Sequence, residues 1–173
     1  MQLKKIDKSR YSKHLKIVFA SIAVALLAIT LVASTLIIQL FGTEGESHFW
    51  FNLTGLAIAS ATVVFILTKL RHHPFMLEVV YVWDLKQILN KIYRKQKKIE
   101  VQLEEAKIKQ DQHDAMIIMN FQYRGSKQLY ELDDNTITMA ELNSKIKQLD
   151  KRMLAAGLSL STDAFDVEML DRF

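Results

Sequence analysis

IVFASIAVALLAITLVASTLIIQLF at residues 17–41 and FWFNLTGLAIASATVVFILT at residues 49–68 decide the fold, and neither stretch contains an ionisable side chain. As helices they extend about 37 Å and about 30 Å, enough to cross a hydrocarbon core of roughly 30 Å. Only Gly42-Thr43-Glu44-Gly45-Glu46-Ser47-His48 separates them. Two such runs so close together read as a transmembrane helical hairpin. Inside lipid every backbone N–H and C=O must be satisfied within the segment, so helix is the state expected. A soluble core helix rarely runs so far without a charge. A cleaved signal peptide is disfavoured by the length of the first run and by Gln39-Leu40-Phe41-Gly42-Thr43, which offers no small-x-small cleavage site.

The basic residues orient the hairpin. Residues 1–16 carry Lys4, Lys5, Lys8, Arg10, Lys13 and Lys16 against Asp7, the 42–48 connection has no Lys or Arg, and Lys69 and Arg71 follow the second run. Lys and Arg are retained on the cytoplasmic side, so both termini are expected there, with the 42–48 loop outside. Trp50 and Phe49 stand where an interfacial aromatic anchor is expected. The net charge of +4 is uneven: residues 1–16 and 69–109 each hold +5, while 158–173 hold −3. The anionic leaflet is the simplest partner for charge beside a membrane. No motif for nucleic-acid binding accompanies it, so nucleic acid is not expected.

The chain has no cysteine, one proline and five glycines. Disulfides and thiolate chemistry are excluded, and little is left for β-turns, so the expectation is an all-α protein. Pro74 ends the second span, taken as 49–70, near His72 and starts a new helix over about 75–109. Phe75 to Leu89 is apolar on nearly every side and suits the membrane interface or a packed bundle. Leu85, Leu89, Ile92, Gln96, Ile99, Leu103 and Ala106 then follow alternating steps of four and three, a coiled-coil-like packing seam, with Lys91, Lys95, Lys97, Lys98 and Glu104 on the solvated faces.

Gln110-Asp111-Gln112-His113 reads as a turn or junction. A helix over 114–132 follows, its stripe Ile118, Phe121, Gly125, Leu129 and Leu132, with Gly125 marking a close crossing. Asp133-Asp134-Asn135 is a turn cluster. Thr138 and Glu141 have capping-box spacing before a third helix to Ala156, and Gly157 is its stop. These elements define a cytoplasmic antiparallel helical bundle over 74–157. The acidic tail 158–173 reads as loose, with a short amphipathic helix over Asp163 to Leu170 carrying Phe165, Met169 and Leu170.

Catalytic and metal constellations are thin. His72 and His73 project in different directions, and His14, His48 and His113 lack a partner at ligand spacing. Asp133 and Asp134 sit where acids serve turn geometry. There is no phosphate-binding glycine loop, nucleophile elbow or H-E-x-x-H motif. No metal, cofactor or small-molecule substrate is expected. In the spans, Gly55 with Ala59, and Ser21 with Ala25, have small-xxx-small spacing, which favours packing of the spans on each other.

Ile6-Asp7-Lys8-Ser9-Arg10-Tyr11, Arg71-His72-His73-Pro74, Tyr81-Val82-Trp83-Asp84-Leu85-Lys86, Ile92-Tyr93-Arg94-Lys95 and Gln128 through Thr136 resemble an uncharacterised family of small gammaproteobacterial membrane proteins, a domain of unknown function. The resemblance covers about residues 1–155. It implies a bacterial inner membrane and no catalytic residue. The expected role is a non-enzymatic, membrane-tethered scaffold or adaptor. Lys91, Arg94, Lys95, Lys97 and Lys98 are its electrostatic surface toward anionic headgroups or a partner, and Leu85, Leu89, Ile92, Ile99 and Leu103 its seam. A second copy or another membrane protein is the expected partner. The alternatives are a small oligomeric channel or accessory transporter subunit, and a membrane-bound enzyme using Asp133 and Asp134.

Overall fold

The computed structural model describes residues 2–42, 48–105, 108–135 and 137–173. Its helices are α1 (Lys8–Phe41), α2 (Phe49–Leu70), α3 (Leu77–Glu105), α4 (Lys109–Leu132) and α5 (Met139–Ala155), with 3-10 turns at Pro74–Met76 and Val167–Arg172. No strand occurs among the described residues. The chain divides into two compact units, residues Ser9–Val80 and residues Met1–Lys8 with Tyr81–Phe173.

In the first unit, α1 and α2 are both long and apolar enough to cross a membrane. Ser34, Gly55, Ala59 and Val63 are buried, whereas Phe19, Leu27, Leu40, Trp50 and Phe65 are all more than 60% exposed. A Cβ on Gly55 would lie 2.1 Å from Ser34 Oγ, so the two helices touch through the Gly55–Ala59 face. Hydroxyls on α2 are satisfied locally: Thr54 donates to the Trp50 carbonyl (2.9 Å), Ser60 to Leu56 (2.8 Å) and Thr62 to Ile58 (2.8 Å). Such back-bonding lets hydroxyls face an apolar medium without an orphaned donor. His73 is extended, as a residue before proline must be, and its Nδ1 accepts the Phe75 N–H at 3.2 Å. Beside that elbow, Glu78 faces Arg10 Nε (3.1 Å) and His14 Nδ1 (3.2 Å), and the His14 ring lies against Phe75, tilted by 30°.

In the second unit, α3 and α4 run antiparallel. Lys86 pairs with Asp133 (3.2 Å), Gln122 donates to Gln96 (3.4 Å), and Gln112 donates to the Leu103 carbonyl (3.1 Å). Gly125 lies at the crossing, where a Cβ would meet Leu89 Cδ2 at 3.2 Å and Leu85 Cδ1 at 3.3 Å. Arg124 bridges to Asp150 on α5 at 2.8 Å, and Arg152 donates to the Leu103 carbonyl at 2.6 Å. Gly157 has φ +72, the Gly157 N–H bonds the Leu154 carbonyl and the Leu158 N–H the Met153 carbonyl, a Schellman stop.

Three expectations change here. Gln110 to His113 belong to the first turns of α4, not to a turn. Their polarity serves helix ends: Gln112 satisfies an orphan carbonyl of α3, and Gln110 donates to Asp114 at 2.8 Å. Ala106 lies outside the described residues. Thr138 occupies the N-cap position without a side-chain capping hydrogen bond, and Glu141 pairs with Lys145 (2.7 Å) in place of closing a capping box. The acidic tail is docked. Phe165 stacks on Phe121 with centroids 4.1 Å apart, and Phe165 and Leu170 are 3% exposed. Asn120 donates to the Leu160 (3.1 Å) and Ser161 (3.3 Å) carbonyls, and Arg172 pairs with Asp114. Apolar residues at 165 and 170 outweigh the local charge because four acids can point outward while two side chains fill the bundle.

Candidate functional site

The outer face of α3 is a strongly cationic surface of the bundle. Leu85, Leu89, Ile92, Ile99 and Leu103 are buried on the inner face, and Gln96 is half-buried among them. The 3.6-residue period then turns Lys91, Arg94 and Lys98 to the opposite side with Lys97 beside them, and all four are exposed. Trp83, Tyr93 and Val101 are exposed on α3 as well. Lys95 does not join this surface. It is half-buried, and its ammonium donates to the Leu170 carbonyl at 2.6 Å, so it fastens the tail.

Where the tail meets α3, a cleft of about 420 Å³ opens between Lys97, Lys98, Val101 and Gln102 on one wall and Asp111 and Arg172 on the other. Arg172 is committed to Asp114, which is 5% exposed and also accepts from Gln110. The cleft can attract an anion. Asp133 and Asp134, the candidate acid–base pair, carry separate lysine partners, Lys86 and Lys8. Asp134 has φ 55, a left-handed turn position that Asp tolerates. Those contacts account for both carboxylates as junction geometry. No cluster of three or more metal-ligating side chains occurs among the described residues.

A second polar site was not legible in the residue pattern. The Lys4 N–H donates to Tyr81 Oη at 2.8 Å, Tyr81 Oη donates to Gln128 Oε1 at 2.9 Å, and Gln128 Nε2 donates back to the Lys4 carbonyl. Burial pushes the Tyr81 phenol up from its ordinary value of 10.0, against the opposing pull of the Lys4 amide and Gln128. The phenol therefore stays neutral at physiological pH and can act as donor and acceptor at once. Lys8 adds an ion pair to Asp134. Residues 4 to 8 are thus latched to α3 and α4. A tyrosine at the start of a helix and a glutamine 47 positions later carry no periodic signal that would have joined them.

The architecture is an all-α chain, a hairpin of two apolar helices joined to a latched helical bundle. It belongs to the family described as a protein of unknown function (DUF3087), whose model matches residues 1–170. The match runs through most of the docked tail, beyond the limit near 155 expected from the resembling segments. No curated protein and no solved structure matches the chain.

Proposed function

We propose that this chain is a two-span protein of the bacterial inner membrane, with both termini cytoplasmic, that acts without catalysis as a tether for its helical bundle. One observation carries the topology. The segment Lys4 to Lys8 is hydrogen-bonded into the same unit as Tyr81 to Phe173, and α1 and α2 lie between the two in sequence. A chain that crosses twice returns to the side it left, so the latch is compatible with a hairpin and incompatible with a single crossing. The apolar side chains left exposed along α1 and α2 support a lipid surround, since a soluble core helix would bury them. Lys4, Lys5, Lys8, Arg10, Lys13 and Lys16 at one end and Lys69 and Arg71 at the other support the cytoplasmic side.

On this reading Lys91, Arg94, Lys97 and Lys98 are the working surface, aimed at anionic headgroups or an acidic partner. Each contributes roughly 1 kcal/mol if it reaches an anionic surface. The pairing of Asp133 and Asp134 with lysines supports a non-catalytic role. The test has two parts. Single cysteines at positions 12 and 160, in cells, should be shielded from an impermeant maleimide, and one at position 45 should react. Reaction at 12 or 160 overturns the topology. A photoreactive residue at 93 should crosslink lipid or a discrete partner, and replacing all four cations by Gln should abolish it. Unchanged crosslinking would overturn the electrostatic role.

A further inference from the structure

The helix pair closes at Ser34 and Gly55 but not at its Pro74 end. There a narrow apolar cleft of about 290 Å³ is lined by Ser21 and Ala25 of α1, Val63 and Leu67 of α2, and Phe75 and Met76 of the elbow. Ser21 and Ala25 have the spacing of a helix-contact motif, yet they border open space. The helix contact belongs to Gly55 and Ala59. The cleft reaches from Ile17 to Ala25, about 12 Å along the helix axis. That length is most of the roughly 15 Å depth of one leaflet, so a single hydrocarbon chain lying along the hairpin matches the cleft in reach and in polarity.

The charge around the cleft selects the headgroup. Residues 9–25 and 63–80 contain Arg10, Lys13, Lys16, Lys69 and Arg71 against one acid, Glu78, which Arg10 already meets at 3.1 Å. Lys16 and Lys13 precede the lining residue Ile17 within about one helical turn, and Lys69 and Arg71 flank the lining residue Leu70. Long basic side chains at a helix end reach the headgroup layer while their stems stay in hydrocarbon. We propose that this cleft seats one acyl chain of an anionic phospholipid, with Lys13, Lys16, Lys69 and Arg71 around its phosphate. Ser21 and Ala25 are small because any larger side chain would fill the seat. The proposal rests on the two-span reading above.

The test uses the full chain in nanodiscs of phosphatidylcholine with a trace of phosphatidylglycerol bearing a diazirine in its upper acyl chain. Labelling should concentrate on residues 17–25 and 63–70, and unlabelled phosphatidylglycerol should compete where phosphatidylcholine does not. Ser21→Leu with Ala25→Leu should reduce labelling there to background while labelling of the outer faces persists. Lys69→Gln with Arg71→Gln, which leaves the cleft open, should cut the preference for the anionic lipid roughly thirtyfold. Even labelling around both helices, or labelling untouched by the leucine pair, would overturn the cleft. A chain that fails to enter nanodiscs at all would overturn the two-span reading instead, so the two failures are distinguishable.

Discussion

Helix α1 buries two of its 34 residues, Tyr11 and Ser34, whereas α4 buries ten of its 24. The helix richer in apolar side chains is the one that hides fewer of them. In α4 burial runs almost unbroken from Asp114 to Gln122, on nearly every side, and its apolar residues gain their stabilisation by leaving water for neighbours such as Leu85, Leu89 and Phe165. In α1 they surround the helix, which is the pattern of a segment whose surroundings are themselves apolar. Burial marks the packed interface in the bundle. In the hairpin, small size marks it, at Gly55 and Ala59.

That contrast breaks most sharply under charge. Ile92→Asp with Ile99→Asp puts two unpaired carboxylates at positions with 0% exposure. Each should cost roughly 3–5 kcal/mol, together comparable with the whole stability of a domain, about 5–15 kcal/mol. Limited proteolysis of the full chain in mild detergent should show residues 81–173 degraded. Leu27→Ala with Leu31→Ala, at exposed positions on α1, should leave that pattern unchanged. Equal sensitivity of the two variants would erase the distinction between the regions.

The tail contact is the next effect in size, and it is asymmetric. Arg172→Ala leaves the Asp114 carboxylate buried, with the Gln110 amide still donating to it at 2.8 Å, a loss of roughly 1–3 kcal/mol. Asp114→Asn should cost less, because Arg172 is 60% exposed and water can take over. Protease access to Ser159–Asp166 reads both, and the reverse order would contradict the burial of Asp114. The two glycine crossings sharpen the comparison further. Gly55→Leu should separate α1 from α2, read as lost disulfide trapping between cysteines placed at 33 and 56. Gly125→Ala needs Leu85 and Leu89 to give only a few tenths of an ångström, so overpacking and the gain of roughly 1 kcal/mol in helix propensity should nearly cancel in a melting experiment.

A modest effect concerns the latch. Tyr81→Phe should cost about 0.5–1.5 kcal/mol and expose the Lys4–Lys5 region to trypsin. The folded phenol titrates above the ordinary value of 10.0, so the native state holds its proton more tightly than the unfolded chain. The latch should be fully present below pH 10 and weaken as pH rises past it. Tyrosinate absorbance read alongside trypsin cleavage checks that order. A latch that loosens on acidification would contradict the assignment.

Much of this fold was legible. The two apolar runs, the four-three spacing from Leu85 to Leu103 and the stop at Gly157 all follow from local pattern, because each depends on neighbours within one or two turns. The docked tail and the latch did not follow. Arg172 meets Asp114 across 58 residues and Gln128 meets Lys4 across 124, and no periodicity connects such pairs. Lys95 stands beside the seam in the heptad, a position that local pattern leaves solvated, and the carbonyl that draws it in belongs to Leu170, 75 residues away. The charge of residues 158–173 also misled, since four acids outnumber the two apolar side chains that do the docking.

Translation sets a schedule for the contact at Gln128. At about 5–20 residues per second, roughly 6–25 s separate synthesis of residue 4 from that of its partner. Until that interval ends the Lys4 carbonyl lacks its Gln128 partner, and both apolar helices are synthesised within it. The two apolar helices are therefore complete before the chain can fasten its own beginning, and a chain truncated between residues 80 and 128 would carry the whole hairpin without a closed latch.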